Sequence, residues 1–141
     1  MNREPIYAAL FDLLSSAANF VTASRRLRHW SDVSPAEQPA LFVVQKSETA
    51  ERRNGLPPKW KALVDIYVYA HAPDEAAAPS MVLNPLLDAV EAALAPKDSG
   101  AVQTLGGLVS HATIAGRIET DEGVLGGQTV AIVPVEILVA G

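Results

Sequence analysis

The sequence predicts an α+β domain, a mostly antiparallel sheet of four to five strands packed against two helices. Three observations lead there. Two segments carry apolar residues at helical spacing. The β-rich segments come in adjacent pairs joined by turn-rich links. Neither link has room for the crossover helix that a parallel, doubly wound sheet requires. The 141 residues suit a single domain. A chain of this size buries roughly two-thirds of the surface of its unfolded form, so a core can form without disulfide or metal staples.

Ile6, Leu10, Leu13, Leu14 and Ala17 recur at helical spacing. Pro5 falls in the first turn, where its missing N–H costs nothing, and Glu4 sits beside the positive end of the helix dipole. A helix over residues 3–16 follows. Residues 20–24 alternate apolar with small polar side chains and read as a short strand, and the basic, proline-containing stretch 25–39 reads as loop. The β-rich runs 41–49 and 60–71 are separated by Arg52, Arg53, Asn54, Gly55, Leu56, Pro57 and Pro58. This predicts a long-looped antiparallel hairpin, the two prolines ruling out a minimal two-residue turn.

In the second run Trp60, Ala62, Val64, Ile66, Val68 and Ala70 share one face, which reads as core. Lys61, Leu63, Asp65, Tyr67, Tyr69 and His71 share the other, which is mixed. Leu83, Leu86, Leu87, Val90 and Leu94 form a helical stripe, with Asn84 and Pro85 as cap and first helical residue and an end before Pro96. Two more strands, over 108–120 and 128–139, flank the glycine-rich link 121–127. Pro134 inside the last strand implies an edge position or a bulge.

The chain contains no cysteine, which excludes disulfide scaffolds, thiolate catalysis, iron–sulfur clusters and cysteine-ligated zinc. His29, His71 and His111 are scattered without carboxylates at metal-site spacing and read as surface or sheet-end residues. Gly106, Gly107, Gly126 and Gly127 belong to no phosphate-binding pattern and read as turn glycines. Ser110 beside His111 lacks a third orienting group. The pairs Asp74–Glu75 and Asp121–Glu122 read as solvated turns. The expectation is therefore no enzyme, with no catalytic, cofactor-binding or metal residues. The alternative of a small-ligand binding or enzymatic α+β domain would draw on Asp65, Tyr67 and His71. The first sixteen residues carry Glu4 and Asp12 rather than a secretion signal, and no apolar run approaches a membrane span. A protein made in the cytoplasm, with no membrane partner, is expected.

Charged residues make up 19% of the chain and hydrophobic ones 49%, with a mean hydropathy of +0.16. That is apolar for a small soluble protein and implies apolar surface turned toward partner subunits. Leu63, Tyr67 and Tyr69, with Val133, Val135 and Ile137 of the last, two-sidedly hydrophobic strand, are the candidate interface; ordinary burial under the helices is the alternative. Positive charge gathers at Arg25, Arg26 and Arg28 and at Arg52, Arg53, Lys59 and Lys61. Each run is either a solvated face or a docking surface for an acidic partner. The net charge of −5 argues against coating nucleic acid.

The segments IYAALFDLL (6–14), LFVV (41–44) leading into a charged hairpin, WKALVDIYVYA (60–70), LNPLLDAVEAAL (83–94) and VAIVPVEILV (130–139) together resemble the tail terminators, or tail completion proteins, of long-tailed bacteriophages. The resemblance spans nearly the whole chain. It implies a structural virion protein, a hexameric ring at the head-proximal end of the tail, assembled in the host cytoplasm. Such a ring caps the tail tube, ends its polymerisation and offers the head-attachment surface. The partners implied are further copies of the chain, the tube protein and a head completion or connector protein, while double-stranded DNA passes through without specific binding. Under this resemblance Arg52, Arg53, Asn54, Lys59 and Lys61 are the candidate tube contact, and Arg25, Arg26 and Arg28 a further docking site. A different neck, connector or tube component of similar design is the alternative.

Overall fold

The computed structural model describes residues 1–96 and 100–140. Helix α1 (Arg3–Ser15) leads into strand β1 (Thr22–Ser24), two short 3₁₀ turns (Trp30–Asp32 and Pro35–Glu37), the long strands β2 (Ala40–Arg53) and β3 (Leu56–His71), and helix α2 (Ser80–Ala93). Strands β4 (His111–Ile114), β5 (Glu119–Gly123) and β6 (Gly126–Val139) complete the chain. The class is α+β, as the pairing of strands predicts. The sheet itself is larger than expected and mixed. It has six strands in the order β1-β2-β3-β6-β4, with β5 also on β6. The β1–β2 pair is parallel and the others are antiparallel.

The extra strand comes from Pro134. The segment expected to form one strand over 108–120 is broken into β4 and β5, both paired with β6. Flanked by β3 on one side and by β4 and β5 on the other, β6 is not an edge strand. Pro134 lies opposite the break. The Ala115 N–H donates to the Pro134 carbonyl at 3.1 Å, but the proline nitrogen has nothing to return. The outer chain leaves the sheet at Gly116, whose φ of +112° suits glycine and whose missing Cβ would stand 3.4 Å from the Pro134 ring. It rejoins at Glu119, opposite Ile132.

Two other boundaries differ from expectation. The β2–β3 hairpin closes tightly, with Arg53 opposite Leu56 and only Asn54 and Gly55 between them. Gly55, at φ +69°, takes the left-handed conformation that the turn needs. The prolines do not forbid this turn, because one residue of β2 faces Pro57 and Pro58 across a bulge. Pairing of β3 with β6 begins only at Trp60, so the two prolines interrupt no ladder on that side. Helix α2 starts at Ser80, ahead of the Asn84–Pro85 pair, and Pro85 lies inside it. The bond that Pro85 cannot make is one to the Met81 carbonyl, at the exposed start of the helix where water can replace it. At the other end the buried Gln103 amide donates to the carbonyls of Ala93 and Ala95 at 3.3 and 3.2 Å, closing the helix terminus.

Both helices lie on one face of the sheet. Ile6, Tyr7, Leu10 and Leu14 of α1 and Leu83 and Val90 of α2 meet Leu41, Val43, Ala62, Val64, Ile66, Val68, Val133, Val135 and Ile137 in one continuous core. The predicted inward face of β3 is correct residue for residue from Ala62 to Ala70.

Candidate interaction surface

The second face of the sheet carries no helix. At one end the loop between β1 and β2 folds over it, and Val33, Ala40, Phe42 and Tyr69 form a small buried cluster flanked by Trp30, Val44, Tyr67 and Val130. The Phe42 and Tyr69 rings meet at 5.4 Å between centroids. The Tyr69 hydroxyl donates to the Arg28 carbonyl at 2.7 Å. Burial, with Tyr67 nearby, pushes the Tyr69 hydroxyl pKa up to about 12. A buried polar clasp holds the same loop down. Gln38 and Gln128 exchange amide hydrogen bonds of 2.7 and 3.0 Å, and Gln38 also donates to the Val33 carbonyl. Beyond the loop, Val44, Leu63, Tyr67, Ile132, Pro134 and Leu138 stay half-exposed.

The predicted interface residues therefore divide. Leu63 and Tyr67 lie on the open face. Val133, Val135 and Ile137 do not: they are completely buried beneath the helices and are core, because they occupy the alternate positions of β6. Tyr69 is also withdrawn, buried under the chain's own β1–β2 loop. Between Ile132 and Leu138 the partly buried positions of β6 are Ile132, Pro134, Glu136 and Leu138, one residue out of phase with the expected set.

The cations divide as well. Arg52, Arg53 and Asn54 come together with Leu56 and Pro58 around a shallow concavity at the tip of the β2–β3 hairpin, which projects past the end of β6. Arg53 is used internally, its guanidinium donating to the Pro57 carbonyl at 3.1 and 2.6 Å. Arg52 and Lys59 form no ion pair among the described residues. Lys61 is spent on the open face, 3.1 Å from Glu136, whose other oxygen lies 3.1 Å from His111 Nε2. Hydrogen bonds from Lys61 and His111 hold the Glu136 carboxyl below the usual carboxylate range. Arg25 pairs with Glu4 at 2.7 Å and Arg28 with Glu37 at 2.6 Å, so these two pin the loop and leave Arg26 as the outward member of their run. Arg25 also reaches Gln45, seven residues along β2 from Arg52. At about 3.3 Å per residue that separates the two cationic runs by roughly 23 Å.

The residues of the small-ligand alternative are not gathered into a site between sheet and helices. Asp65 and Tyr67 lie on the helix-free face, and Asp65 pairs with Lys46 at 3.6 Å. His71 lines an open concavity with Asp74, Glu75 and Gly127 at the end of the sheet. Among the described residues no three His, Asp or Glu side chains stand close enough to hold a metal ion. None of the described helices is long and apolar enough to cross a membrane. Sequence reasoning missed the Gln38–Gln128 clasp and the groove that Trp30 forms with β5, both of which join residues about ninety positions apart. No protein-family model matches the chain, and no curated protein sequence matches it.

Proposed function

We propose that this protein is a structural ring subunit of a long-tailed phage virion, seated at the head-proximal end of the tail tube, where it ends tube polymerisation and presents the head-attachment surface. The observation that carries this reading is the helix-free sheet face, with Leu63, Tyr67, Ile132 and Leu138 only partly buried along the long strands β3 and β6. Apolar strand surface left to water invites aggregation, and neighbouring subunits remove that hazard. The whole-chain likeness to tail terminators supports the same conclusion, and a hexamer is the stoichiometry it implies. A ring is built from repeated heterologous contacts, so each copy needs two different patches. The open face and the cationic hairpin tip are two such patches. The hairpin's free cations suit an acidic surface on a neighbouring subunit, in the ring or in the tube. The net charge of −5 suits a channel through which double-stranded DNA passes without being held.

Deleting the gene from the phage genome that encodes it tests the reading by electron microscopy of the tails. Overlong tails without heads are expected. Tails of normal length that fail only to join heads would reassign the protein to the connector, and an absence of tails would reassign it to the tube.

A further inference from the structure

On the helix-free face, Trp30 and strand β5 line an open groove of about 310 Å³. Val130 and Ile132 of β6 form its floor, opposite Asp121 and Glu119 of β5, and Leu125 also lines it. The Asp121 Oδ1 atom is buried and has no hydrogen-bond partner among the described residues, an unmet acceptor. Glu119 is exposed and, among the described residues, shares its charge only with Arg117, itself exposed, at 3.1 Å. An aromatic wall, an aliphatic floor and carboxylates along one side together suit an arginine with an apolar neighbour. The guanidinium stacks on the ring and donates to a carboxylate, while the neighbour covers the floor.

The tip of the β2–β3 hairpin offers that pair of side chains. Arg52 is exposed and forms no ion pair among the described residues, and Leu56, across the turn, is 60% exposed. The Arg53 guanidinium braces the turn against Pro57, so the tip is preorganised. Tip and groove lie at opposite ends of the sheet. Val130 and Ile132 pair with Tyr69 and Tyr67 of β3, eleven to thirteen residues from Leu56. At about 3.3 Å per residue the separation is roughly 40 Å, so a subunit cannot place its own hairpin in its own groove.

We infer that the hairpin tip of one copy seats in the Trp30–β5 groove of the next, with Arg52 against the Glu119 and Asp121 carboxylates and Leu56 toward Val130 and Ile132. Each copy then gives one contact and receives one, the head-to-tail arrangement from which rings close. This rests on the ring proposed above and names its subunit contact.

Because the chain contains no cysteine, thiol crosslinking tests the contact without background. Full-length Glu51→Cys and Thr120→Cys, exposed positions beside Arg52 and Glu119 that leave the proposed charge pair intact, are checked for folding by circular dichroism, mixed and treated with a short bis-maleimide. The expected product is a dimer of one copy of each, several-fold more abundant than from either variant alone or from Glu51→Cys mixed with Glu91→Cys, whose site lies on α2 across the sheet. It should fade near ~1 M salt, where the Debye length is only about 3 Å. Equal yields in all the mixtures would overturn the contact. The chain carrying both Glu51→Cys and Thr120→Cys separates this failure from failure of the ring. One closed product of fixed mass supports both, and an open-ended ladder keeps the contact and rejects the ring. A native ring that is not crosslinked keeps the ring and rejects the contact. An Arg52→Glu ring that stays intact but no longer binds the tube would give the hairpin to the tube instead.

Discussion

The two faces of strand β3 differ in composition and in fate, one wholly apolar and the other mixed. Ala62, Val64, Ile66 and Val68 are sealed beneath α1 and α2, while Leu63 and Tyr67, one step out of phase on the same backbone, are only partly buried. Leu63 is as apolar as its covered neighbours, so hydropathy alone does not account for its exposure. What separates them is cover, which two short helices provide on one side only. The helix-covered face makes the fold, and among the described residues the other face has no α-helix over it.

The largest expected effect comes from cutting the same chemistry on each face. Ile66→Ala should cost about 2–5 kcal/mol in urea unfolding, through lost burial and a residual cavity. Leu63→Ala, three residues away and on the other face, should cost about 0.5 kcal/mol in the isolated chain. Equal losses would mean that the open face is as tightly packed as the covered one, and the comparison would break.

The loop that covers one end of the open face depends on polar bonds rather than area. Gln38→Leu leaves the buried Gln128 amide short of its partner, and about 1–3 kcal/mol should be lost. Adding Gln128→Leu should restore part of that, so the pair of substitutions costs less than the sum of the singles in a double-mutant cycle.

Acid and alkali probe the same face more gently. The Glu136 carboxyl is held below its ordinary value by Lys61 and then His111. Its contribution is therefore complete above the pKa of the unfolded chain and is lost as pH falls through the lower folded value. Glu136→Gln should flatten the acid limb of the stability curve, measured by chemical denaturation at successive pH values. Tyr69 has the opposite sign. With its pKa raised to about 12 from an ordinary 10.0, its contribution is complete below 10.0 and fades as pH rises toward 12. Tyr69→Phe should remove that alkaline loss and with it the bond to the Arg28 carbonyl. The smallest effect on stability belongs to Arg52→Ala, which should change it by less than about 0.5 kcal/mol while weakening self-association. A large loss of stability would place Arg52 in the fold rather than at a contact.

Much of this was legible in the residues, and the rest was not for identifiable reasons. The alternation in β3 names its covered face because period two survives in a strand that is polar at Lys61 and Asp65. The run from Val130 to Val133 has no polar residue, and the phase of β6 is marked after it only by Glu136, which sets Val133, Val135 and Ile137 on the opposite, covered face. Pro134 announces a missing donor but not which neighbouring strand will yield, and here β4 and β5 part around it. Asn84–Pro85 imitates a helix start although the chain turns helical at Ser80, since one absent bond near an exposed end costs little. A run of arginines gives a charge count but not its pairing. Arg25 finds Glu4 and Arg28 finds Glu37, while Arg52 finds no partner among the described residues, and only the tertiary fold decides among them.

Native mass spectrometry of the chain, alone and with tube subunits of the proposed virion, tests most directly whether the open face and the hairpin exist to join subunits. A closed multimer of a single stoichiometry, retained at the tube end, is the predicted result. A monomer at every concentration, which leaves tube growth unchanged, would contradict it.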